Sequence, residues 1–196
     1  MTGKDIMCVL AAYLLGGICT GYYLVRLKTG LDIRKQGSGG IGARNVGRVL
    51  GRSGFLITSL GDALKGAAAV LLAQFLELSA PAISVVLVVV IAGHIWPPTL
   101  QFRGGRGIAT AIGAYLVYDF NLTVLLLATT SLLMLFRRSL VLSGLVAFLL
   151  LPVITLLLDF PLHAVASVAA VSLIILFAHR ERLKNAFTKQ GSKRKS

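Results

Sequence analysis

Acidic residues are scarce in this chain: seven Asp and Glu stand against 20 Lys and Arg in 196 residues. Within the arginine-rich segments only Asp32 and Glu181 are acids. Paired carboxylates, the working parts of glycosidases and of two-metal phosphoryl enzymes, therefore have nothing to be built from there. Cysteine is nearly as sparse. Cys8 and Cys19 share one apolar run about three helical turns apart, too far for a disulfide between them, and read as packing residues. His94, His163 and His179 are scattered without matching carboxylates, so no metal and no cofactor is expected. Long low-complexity segments and any stretch with the composition of a soluble domain are missing too.

What is present is apolar. A mean hydropathy of +0.84 with 56% hydrophobic residues is too greasy for a soluble domain of this size and makes the chain an integral membrane protein. The apolar runs predict an all-α fold, a single transmembrane domain of seven helices over residues 6–27, 54–76, 80–96, 107–118, 122–136, 140–158 and 162–177. A full crossing takes roughly 20 residues, so the fourth and fifth are short or tilted. The first has only Lys4 before it as a basic flank and exceeds the length of a signal sequence core, so it reads as retained.

The net charge of +13 follows this topology. Every Lys and Arg except Lys4 and Lys65 lies at the end of, or just after, the first, third, fifth or seventh span, while Asp5, Glu77, Asp119 and Asp159 mark the opposite ends. The positive-inside rule then places the N-terminus outside, the C-terminus in the cytoplasm and all the basic loops on one face. That face attracts anionic lipid, the tail Lys193-Arg194-Lys195 included, and nucleic acid is not expected as a partner.

The segment organising the rest is GHIWPPTLQFRGGRGIAT, Gly93 to Thr110. Pro97 and Pro98 end the preceding helix, since each lacks an N–H and the second restricts the first. Gly104, Gly105 and Gly107, interleaved with Arg103 and Arg106, allow successive N–H groups to converge on an anion at the N-terminus of the next helix. The plainer alternative is a glycine-rich turn whose arginines reach lipid phosphates. Upstream, Gly37 to Val46 interleaves four glycines with Ser38, Arg44 and Asn45, with Arg48 beyond. That reads as backbone bent around a polar ligand. Asp62 and Lys65, at i and i+3 in the second span, read as a structural intramembrane pair, both being costly in hydrocarbon unless paired. Arg137 and Arg138 close the fifth span, Ser139 and Ser143 open the sixth, and His179 and Arg180 stand where the last span leaves the membrane.

Taken together, GSGGIGARNVGR, GHIWPPTLQFRGGRGIAT and HRER resemble, in order and spacing, the three cytoplasmic motifs of the bacterial acyl-phosphate:glycerol-3-phosphate acyltransferases, the PlsY family. LGDALKG in the second span is similar to that family's LDxxKG. The resemblance implies a seven-helix enzyme of the bacterial inner membrane that moves a fatty acyl group from acyl phosphate to glycerol 3-phosphate, giving lysophosphatidic acid. Acyl-CoA and acyl carrier protein are not needed. It implies Ser38 and His179 as catalytic residues, with Arg48 and Ser143 at family positions and Arg106 where the family usually has lysine. Gly40 and Arg44 replace an asparagine and a threonine of the first motif, Arg182 replaces the asparagine of the third, and Gly191 is followed by Ser192 and Lys193 instead of Gly-x-Glu.

Both substrates of that reaction carry phosphate, each near −1.5 to −2 at neutral pH. Arg44, Arg48, Arg103, Arg106 and Arg182, with Gly39, Asn45, the Gly104, Gly105 and Gly107 backbone and Ser143, are the expected phosphate-binding set. His179 reads either as a general base or as a phosphate ligand, and Ser38 as a phosphate or hydroxyl ligand more than a nucleophile, because no Asp-His pair accompanies it. Two other readings stand beside the enzyme: an anion or phospholipid transporter, and a non-catalytic phosphate- or lipid-binding paralogue.

Overall fold

A computed structural model describes residues 1–136 and 139–184; Arg137, Arg138 and the basic tail lie outside the described residues. Among the described residues there is no strand. Eight α-helices follow one another: α1 (Gly3–Gly16), α2 (Thr20–Thr29), α3 (Ala43–Phe75), α4 (Ala80–Ile95), α5 (Ile108–Tyr118), α6 (Phe120–Phe136), α7 (Leu140–Leu157) and α8 (Leu162–Ala178). Short 3₁₀ turns at Ile33–Lys35 and Pro98–Leu100 shape the two longest loops.

Helices α4 to α8 begin and end within two residues of the apolar runs that predicted them, apart from the connecting turns. The first two spans differ. The run 6–27 is two helices, α1 and α2, bent by 40° across Gly17, Ile18 and Cys19. The second helix begins at Ala43, eleven residues before its apolar run, and turns at Gly51, where φ is +73°. Hydropathy located the greasy part of α3 and missed the amphipathic turns before it, whose Arg44, Arg48 and Arg52 read as loop. Three helices are long and apolar enough to cross a bilayer, and the bent α1–α2 pair makes a fourth; α5, α6 and α8 are apolar but shorter. At eleven residues, α5 extends only about 17 Å.

The exterior carries the large apolar side chains. Leu60, Leu64, Phe75, Leu135, Leu157 and Leu173 are all exposed, whereas Thr58, Asp62, Lys65, His94, Ser143 and His179 are buried. Such an arrangement suits a solvent of hydrocarbon. Two close helix contacts build the centre. A methyl group on Gly16 would collide with the Val90 carbonyl oxygen and one on Gly93 with that of Tyr13, locking α1 to α4. Gly66 against Thr110 and Gly113 against Ala63 do the same for α3 and α5. Helix α4 also packs on both α3 and α5.

Candidate active site

The break between α1 and α2 leaves carbonyls without helical partners, which is expensive inside a membrane. Lys65 supplies them. Its Nζ donates to Gly16 O at 2.8 Å, to Ile18 O at 2.7 Å and to His94 Nδ1 at 2.7 Å. An ammonium has three N–H groups and all are spent, so Nδ1 of His94 is the acceptor and a neutral ring carries its proton on Nε2. Asp62 Oδ1 lies 3.2 Å from Lys65 Nζ and 3.7 Å from His94 Nδ1, and accepts the Thr20 N–H at 3.3 Å. The residues of the intramembrane pair are thus adjacent and buried. His94, read from sequence as scattered and without a carboxylate, stands beside one. The clue available was its place in GHIWPP, three residues before Pro97, with a buried lysine in need of acceptors.

His94 carries this network into the glycine loop. Its carbonyl accepts the Gly105 N–H at 2.9 Å, and the neighbouring Ile95 carbonyl accepts the Gly104 N–H at 3.0 Å. These two N–H groups are therefore spent on the end of α4. They do not converge on an anion, contrary to the sequence expectation. A methyl group at Gly105 would run into the His94 ring, and Gly107, with φ +83°, turns the chain into α5. Among the described residues the N–H groups of Arg106, Gly107 and Ile108 have no protein acceptor. They are the open donors at this helix start.

The first loop is tied from beneath by Asn45, which is 3% exposed. Its Nδ2 donates to Gln36 O and Gly40 O, both at 2.8 Å, and its Oδ1 accepts the Ser38 N–H at 2.9 Å. An amide committed at both ends to backbone positions the loop and has nothing left for phosphate, so Asn45 leaves the ligand set. The Gly39 N–H is likewise spent on Gln36 O at 2.9 Å. Ser38 is exposed, and among the described residues its hydroxyl has no hydrogen-bond partner. Arg44 and Arg48 follow at i and i+4 on the first turns of α3.

His179 caps α8 and is 3% exposed. Its Nδ1 donates to Ile175 O at 2.9 Å, which leaves Nε2 as the free nitrogen. Burial, the largest cause, holds its pKa below the ordinary histidine value; the Ile175 bond comes next and opposes it, and the Arg106 and Arg182 guanidinium groups add to the lowering. Arg182 in turn feels Arg44, Arg106 and Arg48. Two guanidinium groups, Arg106 and Arg182, thus act on the His179 imidazole, and Arg44 and Arg48 join Arg106 in acting on Arg182. Among the described residues none of the four is ion-paired to a carboxylate. Arg103 lines a cavity of about 500 Å³ with Asp32, Arg34, Lys35, Gly39, Gln101 and Gly104. Ser143 lies in the first turn of α7 and is wholly buried, so it presents no surface of its own.

Comparison with known proteins gives a consistent result. The family model described as glycerol-3-phosphate acyltransferase matches residues 6–189. Glycerol-3-phosphate acyltransferase 1 of Desulfitobacterium hafniense (strain Y51) is 43% identical over 191 residues, 97% of this chain and 95% of that protein. The protein of the same name from Bacillus cereus (strain ATCC 10987 / NRS 248) is 35% identical, covering 92% of this chain and all (100%) of its own. Among solved structures, the glycerol 3-phosphate form of PlsY (YgiH), an integral membrane glycerol 3-phosphate acyltransferase, superposes with a TM-score of 0.87 at 27% identity over 95% of this chain and 94% of its own. Its lysophosphatidic acid form gives 0.84 at 25% identity, covering 95% of this chain and 93% of that one.

Proposed function

The chain belongs to the glycerol-3-phosphate acyltransferase family, and we propose that His179, Arg44, Arg48, Arg106 and Arg182 are the residues with which it transfers an acyl group. The protein is a membrane acyltransferase of phospholipid synthesis. Glycerol 3-phosphate is its acceptor and lysophosphatidic acid its product, as the ligands named for the two PlsY structures support. Acyl phosphate is the donor in this reading. Inverted-repeat transport and a purely lipid-binding role yield to it, because acyltransferases match this chain over almost their whole length.

The observation that carries the site is a buried histidine under the influence of Arg106 and Arg182, with Arg44 and Arg48 next to Arg182 in the same field and none of the four ion-paired among the described residues. Holding like charges together without counterions costs stability unless an anion completes them. The reaction brings two phosphates to such a place. Acyl phosphate is a mixed anhydride, so the protein has little covalent work to do. A bond forms between the 1-hydroxyl oxygen of glycerol 3-phosphate and the acyl carbon, and the bond from that carbon to the phosphate oxygen breaks. The hydroxyl proton passes to Nε2 of His179 and from there to the departing phosphate. The arginines and the open N–H groups of Arg106, Gly107 and Ile108 fix both phosphates and stabilise charge developing on the leaving oxygen. In this reading Ser38 hydrogen-bonds phosphate or hydroxyl, which its exposure above Asn45 supports.

The same reading sets the protein in the bacterial inner membrane, with seven crossings if α1 and α2 count as one, the N-terminus outside and the arginine-rich loops in the cytoplasm. The distribution of Lys and Arg supports that orientation, and anionic lipids are expected neighbours of the basic face. Donor identity is tested by supplying purified protein with a long-chain acyl phosphate, the matching acyl-CoA or the matching acyl carrier protein. Product is expected with the first alone; equal turnover of acyl-CoA would overturn the donor assignment.

A further inference from the structure

The arginine-glycine loop carries two guanidinium groups that serve different places. Arg103 and Arg106 are separated by Gly104 and Gly105, both pinned to the end of α4. Arg106 acts on His179 and Arg182. The cavity that Arg103 lines contains none of Arg44, Arg48, Arg106 or Arg182. We propose that this cavity, with Lys35 and Arg103 as its free cations, is a second phosphate station that takes a phosphate monoester independently of the His179 site.

Its walls are built in advance. Arg34 grips Asp32 as a fork, Nη2 to Oδ2 at 2.7 Å and Nε to Oδ1 at 3.0 Å, while its Nη1 donates to Leu100 O at 3.2 Å. The turn Ile33–Lys35 is thereby fastened to the loop that presents Gln101 and Arg103. Arg34 also stacks over Tyr22 at 5.2 Å from the ring centre. With Arg34 committed, Lys35 and Arg103 remain unpaired among the described residues, and both are exposed. Counting Arg34, Lys35 and Arg103 against Asp32 gives 3 − 1 = +2, which matches a phosphate monoester of about −1.5 to −2. The Arg34 fork holds the Asp32 carboxyl down to about 2, so the balance is constant across physiological pH.

The surroundings suit a ligand that moves between water and membrane. Leu31 and Phe102, beside Asp32 and Arg103 in the chain, are 46% and 60% exposed. Gln101 and Phe102 both adopt left-handed backbone, with φ of 57° and 60°, an unfavourable pair for residues bearing side chains. A cavity of about 500 Å³ also exceeds a bare phosphate and leaves room for a glycerol backbone. The shared chemistry is a phosphate monoester, whether free in solution or on a lipid such as phosphatidic acid.

The test uses the protein in phosphatidylcholine nanodiscs. One arm measures radiolabelled inorganic phosphate by equilibrium dialysis. The other replaces part of the lipid with phosphatidic acid and counts retained phosphatidic acid by native mass spectrometry. The double variant Lys35→Gln, Arg103→Gln is compared with Arg106→Ala. Phosphate binding that survives Arg106→Ala but weakens about tenfold or more in the double variant supports a station for soluble phosphate. Loss confined to phosphatidic acid retention in the double variant supports a lipid source. Both ligands held equally by parent and double variant would overturn the proposal, whatever the acyltransferase assay shows.

Discussion

At the residue scale, His179 is the group whose protonation should be read in the rate. A base must be neutral, and a histidine is neutral above its pKa. Because burial, Arg106 and Arg182 all hold that pKa below the ordinary value, the acid limb of kcat/KM should lie below about pH 6.5. Arg182→Asn removes one repelling charge, so the limb should shift toward higher pH while remaining below 6.5, burial being the larger cause. The same change removes a donor-only, permanently charged group. Tight holding of substrate and product alike does not speed chemistry, so Arg182→Asn is expected to weaken phosphate affinity and raise kcat. Titration calorimetry and a pH series of initial rates on both forms check this; an unmoved limb, or a variant that binds as tightly as the parent, would contradict it.

At the scale of elements, the bend between α1 and α2 exists because Lys65 receives its carbonyls, and the glycine loop holds its shape because His94 passes that network on. Lys65→Met should cost about 3–5 kcal/mol, since it strands Asp62 and two carbonyls. Lys65→Met with Asp62→Leu should recover part of that loss, because no buried charge is left alone. Thermal unfolding in detergent orders parent, double and single variants; a single variant as stable as the parent would remove Lys65 from this role. Gly105→Ala should also lower the melting point, because its added methyl group would run into the His94 ring that Lys65 holds in place. Helix positions were readable from hydropathy because α4 to α8 are apolar on all sides. The α1–α2 break was not, since Gly17, Ile18 and Cys19 are no more polar than their neighbours and the reason for the break, Lys65, lies far along the chain. Asn45, Gly104 and Gly105 were placed in the ligand set because their residue types suit anions. Which backbone groups they had already engaged is a tertiary fact that spacing does not carry.

At the scale of the molecule, an apolar exterior around a core that also buries Asp62, Lys65, His94 and His179 describes an enzyme seated in a membrane, and in the orientation proposed above its basic loops share one face. A cysteine introduced at Gly37, with Cys8 and Cys19 replaced by alanine, should resist an impermeant thiol reagent in intact cells, and one at Asp159 should react. The reverse pattern would invert the orientation. The order of the three motifs suggested a common site, and the structure brings Arg44, Arg48, Arg106, Arg182 and His179 within one another's electrostatic reach; that Arg103 lines a different cavity could not be read from spacing. The most direct measurement is the transfer itself, with purified protein, a long-chain acyl phosphate and radiolabelled glycerol 3-phosphate, followed in the parent, Arg106→Lys and Arg106→Ala. Labelled lysophosphatidic acid should form only when acyl phosphate is present, Arg106→Lys should retain most of the rate, and Arg106→Ala should lose about 10²-fold or more in kcat/KM; no labelled product from the parent, or an Arg106→Ala variant as fast as the parent, would contradict the site.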